Sequence, residues 1–293
     1  MIVRAPASTA NLGPGFDCAA AALELWNELH VEEGAHEVVV EGEGADELPT
    51  DARHLALRAF ALLEPPERYR FRFVNRIPLE RGLGSSAAAI AAGLVAGAAA
   101  ANRLTTPDEL LELGVPLEGH PDNLAAALRG GVCLIWRNGS GAHAARIAGD
   151  LPLAPIIVAP RSRVNTLESR ARLPATLPHA EAAAAAAQAA LLGAAIAASD
   201  PDLLAAAFHD RLHEPFRLPD APLLEELHAS LPLGAAGVTL SGSGPAVVVW
   251  AGKERAASVA SELESRFPDA QVLWLRVADQ GAAPVSDQGA AVS

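Results

Sequence analysis

Hydrophobic and polar positions alternate most cleanly in "YRFRFVNRI", where Tyr69, Phe71 and Phe73 are interleaved with Arg68, Arg70 and Arg72. A period of two places the aromatic residues on one face and the arginines on the other, which predicts a strand with one packed and one wet side. "HEVVVEG", His36 to Gly42, predicts a second strand. The proline-bracketed apolar run "LPLAPIIVAP" from Leu151 predicts a buried one.

Helical signals lie between these runs. In "TTPDELLEL", Thr106 is suited to cap a helix, Pro107 to its first position and the acids to its first turn. "GLGSSAAAIAAGLVAGAAAANRL" predicts a helix starting at its serines, because serine caps exposed N–H groups and alanine has the best helix propensity. Past residue 150 the pattern predicts a long alanine-rich helix and another through "DPDLLAAAFHDRLHEPF". Strands follow in "AGVTLSGSGPAVVVW" and "AQVLWLRV", with a helix at "ERAASVASELESRF" between them. The mixture is of α+β type, and the boundary is placed just before Leu151, giving domains 1–150 and 151–293. The tail repeats "DQGAA" at Asp279 and Asp287, too short a unit to count as a structural repeat.

Composition narrows the function classes. With 293 residues, 51% of them hydrophobic and 19% charged, the chain can build two packed domains. A net charge of -13 and a pI near 5.1 give no general attraction to nucleic acid or to an anionic membrane. Lys253 is the only lysine, so any lysine chemistry must use it. Two distant cysteines, Cys18 and Cys133, fit buried free thiols in a reducing cytoplasm. The first residues lack the apolar core of a secretory signal. The alanine-rich stretches 87–101 and 182–198 fall below the roughly 20 strongly apolar residues that span a bilayer, so both are expected to be buried helices of a cytoplasmic protein.

The candidate chemistry starts at "PLERGLGSSAAAIAAG", Pro78 to Gly93. Glycines permit a tight turn, and a helix start offers free N–H groups and partial positive charge, a combination suited to phosphate. Pro78, Gly82, Leu83, Gly84, Ser85, Ser86 and Ala87 are the nucleotide-side candidates, although a capped helix after a flexible turn gives the same pattern. Gly82, Gly84 and Ala87 also fit a dinucleotide fingerprint, but the acid expected about 20 residues later is missing. The common ATP loop ends in Gly-Lys-Ser/Thr, and no lysine is near. His209 and His213 in "HDRLH" would share a helix face at zinc-hydrolase spacing, but Asp210 stands where a glutamate belongs and Pro215 soon ends the helix.

Three stretches in order, "PASTANLGPGFD", "PLERGLGSSAAA" and "GVTLSGSGPAV", resemble the three motifs of the GHMP kinases, and the first looks most like the homoserine kinase branch. "EGHPDNLAAALRGG", "VNTLESRARLP" and "HEPFR" extend that resemblance. It implies an N-terminal ATP-binding α+β domain and a C-terminal ferredoxin-like α+β domain, with the active site between them. The implied reaction is MgATP-dependent phosphorylation of L-homoserine in threonine biosynthesis, with a homodimer expected by analogy. Arg170 and Arg217 would hold the substrate carboxylate, a task suited to a guanidinium fork. Asn11, Asp17, His120 and Thr166 would also face the substrate, and Asp122, Asn123 and Arg170 would serve catalysis. Ser86, or Ser85, and Glu112 would hold Mg²⁺, with Glu118 ranked second. "CAAAAL" departs from the branch's pattern after Asp17; helical backbone would tolerate Ala20, whereas a requirement for positive φ there would count against the placement of Asp17. Another small-molecule kinase of the family and a non-catalytic nucleotide-binding protein of the same fold are the alternatives.

Overall fold

The computed structural model describes residues 1–139 and 141–285. The chain runs β1 (Ile2–Asn11), β2 (Gly15–Glu33), β3 (Glu37–Gly42), α1 (Leu55–Phe60), β4 (Tyr69–Asn75), α2 (Ser85–Ala100), α3 (Pro107–Glu118), α4 (Asp122–Arg129), β5 (Val132–Asn138) and β6 (Gly141–Ala148). It continues with β7 (Leu153–Ala159), α5 (Thr166–Ala171), α6 (His179–Ala198), α7 (Pro201–Ala207), α8 (Glu214–Arg217), α9 (Pro222–Ala229), β8 (Ala235–Leu240), β9 (Val247–Gly252), α10 (Ala256–Arg266), β10 (Gln271–Trp274) and β11 (Ala283–Pro284).

The first sheet is organised by β2, whose 19 residues are long enough to serve several neighbours. It pairs antiparallel with β1 along most of its length, with β5 at Ala19–Ala21 and with β4 at Glu28–Glu33. Ala20 therefore lies in a strand and not in a helix. Ala19 to Ala22 are fully buried beneath α4 and α2, where only small side chains let helix and sheet approach. The expected alternation in β4 is observed, with Tyr69, Phe71 and Phe73 buried and Arg70 and Arg72 exposed. The chain returns to this sheet at its far end, where β11 pairs with β1.

The second sheet has the order β10-β7-β9-β8 with every pairing antiparallel. Together with α10 between β9 and β10, this is the ferredoxin-like arrangement. Its core, including Ile156, Val158, Leu224, Val249 and Leu263, lies between the sheet and α9 and α10.

Two helix expectations are corrected. The predicted helix 200–216 breaks after Ala207, because Asp210 turns its carboxylate onto the amides of Leu212, His213 and Glu214 and so ends one helix and opens another. α6 is helical as expected but only half covered: Ala185, Leu192, Ala195 and Ile196 are buried, while much of its alanine face is exposed. It is long and apolar enough to cross a membrane by length and composition alone. Leu192, Ala195 and Ile196 belong to the larger hydrophobic core. Alanine's small apolar area makes such exposure inexpensive. The first "DQGAA" copy lies along α4, where Ala282 donates to the Ala127 carbonyl, and the second falls outside the described residues.

α2 is buried against α1, and their approach is set by Gly93, where an added Cβ would lie 2.2 Å from the Ala56 carbonyl oxygen. Gly93→Ala thus sets a helix-propensity gain of up to about 1 kcal/mol against a backbone clash. We expect the clash to dominate, with a loss of about 1–3 kcal/mol in urea unfolding; a gain in stability would contradict this packing.

Candidate active site

The glycine loop enters α2 through Gly84, which sits at the cap position in left-handed backbone (φ 67°, ψ 30°). No side chain caps the helix, so the serines are its first two helical residues rather than the expected cap. The N–H groups of this first turn have no side-chain acceptor, the condition under which a helix start attracts an anion. A Cβ at Gly84 would fall 2.1 Å from Ser8 Oγ, and one at Gly82 would fall 2.1 Å from the Ser241 carbonyl oxygen. Both glycines are therefore required by close approach as well as by positive φ.

The first motif forms the turn between β1 and β2. Asn11, Leu12, Gly13 and Asp17 all have positive φ. Asn11 stabilises the turn with its side chain: its Oδ1 accepts from the Asp17 amide at 3.1 Å, and its Nδ2 donates to the Gly242 carbonyl at 3.0 Å. The third motif is the turn between β8 and β9. Its Ser241 hydroxyl lies 2.9 Å from Thr9 Oγ1 and 2.7 Å from the Gly82 carbonyl oxygen, so the turn touches both other motifs.

These turns enclose a cavity of about 530 Å³. Pro78, Gly82, Leu83, Gly84, Ser85 and Ser86 line one wall, whereas Ala87 points into the core and does not line it. Asn11, Asp17, His120, Asp122, Asn123, Thr166, Arg170 and Arg217 line it as well. Lys253 does not; it pairs with Asp150 at 2.6 Å on the surface.

The charges are arranged unevenly. Arg170 makes a two-pronged ion pair with Asp17, at 2.6 and 2.9 Å. Arg217 is buried, at 2% exposure, yet among the described residues it has no ion-pair partner. Its Nη1 donates to the Gly242 carbonyl at 3.2 Å and to His213 Nδ1 at 3.1 Å, and its Nε is buried without an acceptor. Burial, then the charge of Arg170, hold its pKa below the usual guanidinium range. The Phe16 ring lies beneath both guanidiniums, at 5.2 Å from Arg170 and 5.5 Å from Arg217. An unpaired buried cation is costly unless an anion arrives.

Asp122 starts α4, buried, with His120 Nδ1 at 3.0 Å and the Asn123 amide donating at 2.7 Å. Burial pushes its carboxyl upward, but the hydrogen bond and charge of His120, the amide and Arg170 together hold it below the usual range. Asn123 turns its Oδ1 toward Ser8 Oγ, 2.8 Å away. Thr166 meets Ser243 Oγ at 3.1 Å.

For a cation, the geometry favours Glu118 over Glu112. Ser86 Oγ donates to Glu118 Oε1 at 2.8 Å, and Glu118 lines the cavity. Glu112 is exposed and does not line it, because six residues back along α3 places it about 9 Å lower on a different face. Burial pushes the Glu118 carboxyl up to about 7. Among the described residues no group of three or more histidine, cysteine or carboxylate side chains could hold a metal unaided. A hydroxyl and a carboxylate nonetheless fit Mg²⁺, which takes few protein oxygens and fills its shell from phosphate and water.

The zinc reading fails on geometry. His213 is fully buried and donates through Nε2 to the Gly13 carbonyl at 2.9 Å, His209 is exposed, and no helix joins them. His213 and Phe16 stack at 5.2 Å; sequence reasoning gave Phe16 no role and His213 only the zinc one, although both lie inside the kinase-like motifs it used.

Comparison with known proteins identifies the family. Residues 52–131 match the GHMP kinases N terminal domain, and residues 179–269 match the GHMP kinases C terminal domain. A homoserine kinase of Moorella thermoacetica is 40% identical over 256 residues, covering 85% of this chain and 86% of that protein. One from Streptomyces avermitilis is 41% identical, covering 88% of each. The crystal structure of homoserine kinase from Cytophaga hutchinsonii superposes with a TM-score of 0.85 at 26% identity, covering 97% of both chains. Phosphomevalonate kinase of Streptococcus pneumoniae, solved with phosphomevalonate and AMPPNP, shares the fold at 13% identity, with a TM-score of 0.71 over 94% of this chain and 100% of that one. With both domain models matched across most of its length and relatives of this identity, the chain belongs to the GHMP kinase family.

Proposed function

We propose that this chain transfers the γ-phosphoryl group of ATP to the side-chain hydroxyl of L-homoserine, giving O-phospho-L-homoserine. The observation that carries the reading is the convergence of Arg170, Arg217 and Asp17 on a cavity whose other wall is the glycine loop. Two cations and an acid suit a zwitterionic amino acid. Mevalonate or a sugar would leave Asp17 without an ammonium partner. The relatives named as homoserine kinases point the same way.

In this reading the substrate exchanges partners with the protein. Its carboxylate takes the fork of Arg217 and one arm of Arg170, and its ammonium takes Asp17, so no charge is buried alone. ATP phosphates meet the first turn of α2. Bound Mg²⁺, held by Ser86 and Glu118, would neutralise the terminal phosphates. Phosphoryl transfer then rests on alignment of the hydroxyl and on charge neutralisation more than on a strong base. Asp122, held below the usual carboxylate range, is a weak base; its role is to accept a hydrogen bond from the hydroxyl and orient it. Asn123, tied to Ser8, keeps the loop and α4 in register. We assign the two sheets to separate domains divided near residue 150, with β11 returning to the first. Two free thiols support a cytoplasmic setting, burial pushing Cys133 up to about 11.

The reading is tested by ADP release with MgATP and L-homoserine, L-serine, mevalonate or galactose in parallel. Turnover confined to homoserine is expected, and turnover only with another alcohol would refute it. Arg217→Ala should raise the homoserine KM by about tenfold or more, the scale of a lost charged hydrogen bond; an unchanged KM removes Arg217 from the site. Glu118→Ala should raise the Mg²⁺ concentration for half-maximal rate several-fold, whereas Glu112→Ala should not; the reverse would restore Glu112 as the ligand.

A further inference from the structure

Among the described residues Arg217 has no acid to hold it, so something else must fix the direction of its fork. Its Nη1 has two acceptors, the Gly242 carbonyl oxygen and His213 Nδ1. The second is informative because the imidazole's state follows from its partners. Arg217 can only donate, so Nδ1 must be bare; Gly13 offers a carbonyl oxygen, so Nε2 must carry the proton. The ring is fully buried and stacks on Phe16 with an interplanar angle of 28°.

We propose that His213 is a positioning residue, a neutral Nε2–H imidazole that aims the Arg217 guanidinium at the substrate carboxylate and ties it to the turn between β1 and β2. This rests on the substrate assignment above and adds the device that orients it. An imidazolium would direct an N–H at Arg217 Nη1, so the arrangement admits only the neutral ring. Burial, the largest influence, keeps the ring neutral by holding its pKa below the histidine range. The nearest carboxylate, Asp210, lies 3.7 Å from Nε2 and is already engaged by the backbone amides of His213 and Glu214 at 2.7 Å each. The ring thus links one residue of the cavity wall, Arg217, to a loop 200 positions away. Without it the guanidinium would lose one of its two anchors, and the carboxylate would have to order the fork on binding.

His213→Phe keeps the ring and its stacking but removes both hydrogen bonds. It should raise the homoserine KM by about tenfold with the ATP KM within about twofold, and His213→Gln, which can donate and accept, should recover part of the loss. A homoserine KM within twofold of the wild-type value, or an equal rise in both constants, would overturn the proposal. The ¹⁵N spectrum of the wild-type imidazole tests it independently of turnover and of variant folding. One protonated and one bare nitrogen, with Nε2 protonated near neutral pH, is expected; an imidazolium or the Nδ1–H tautomer would overturn it. If the wild-type enzyme turns over another acceptor but not homoserine, the substrate assignment falls, and the ¹⁵N result still decides the role of His213.

Discussion

Buried hydrogen bonds between residues far apart in sequence hold the site together. Ser8 meets Asn123, Asn11 meets Gly242, Thr9 meets Ser241 and His213 meets Gly13, across separations of 115, 231, 232 and 200 positions. Each joins β1, or the turn that follows it, to a turn or helix start from elsewhere in the chain. The first-motif turn places Asn11, Leu12 and Asp17 at positive φ, which costs on the order of 1 kcal/mol or more per non-glycine residue. The cross-links offset that strain, because each satisfies a polar group that would otherwise be buried unpaired. Glycine is required where backbones converge, and Gly82 against Ser241 is the tightest of these meetings at the site.

This framework lets the cavity hold charge that the fold does not neutralise. Asp17 and Arg170 pair with each other, whereas Arg217 stays buried against neutral acceptors and an aromatic ring. A structural arginine is ordinarily matched with an acid. One held by carbonyl, imidazole and π face keeps its full charge for an incoming anion. The uncapped start of α2, which also lines the cavity, is suited to a second anion without a lysine, and the single lysine is engaged elsewhere. Two candidate anion sites in one cavity, with Asp17 and Asp122 also in its lining, give a physical basis for the proposed two-substrate reaction.

Much of this was legible in the sequence because its signals are local. The alternation at Tyr69–Phe73, the Thr106 cap with Pro107 behind it and the apolar run of β7 each formed as expected, since neighbours in sequence decide them. The three motifs marked the turns, and most of their residues meet in the cavity. What the sequence concealed depends on contacts between distant segments. Serines before an alanine run look like caps, but the cap position falls on Gly84, where a side chain would meet Ser8. Glu112 and Glu118 share one helix, and only the position of α3 relative to α2 selects Glu118. Alanine's intrinsic propensity favours helix after Asp17, yet sheet neighbours on either side of β2 override it. The break in the predicted helix 200–216 is the local exception, made by an Asp210 carboxylate–amide turn that composition alone does not reveal.

The central claim is that the arginine pair recognises a carboxylate on the phosphoryl acceptor. It is tested most directly by comparing kcat/KM for L-homoserine with that for 3-amino-1-propanol, which lacks only the carboxylate, in the wild-type enzyme and in Arg217→Ala. The account predicts that losing the carboxylate costs the wild-type enzyme about a hundredfold or more, the scale of one to two charge-assisted hydrogen bonds, and costs the variant at least tenfold less. Equal penalties in the two enzymes, or no penalty in the wild type, would contradict it.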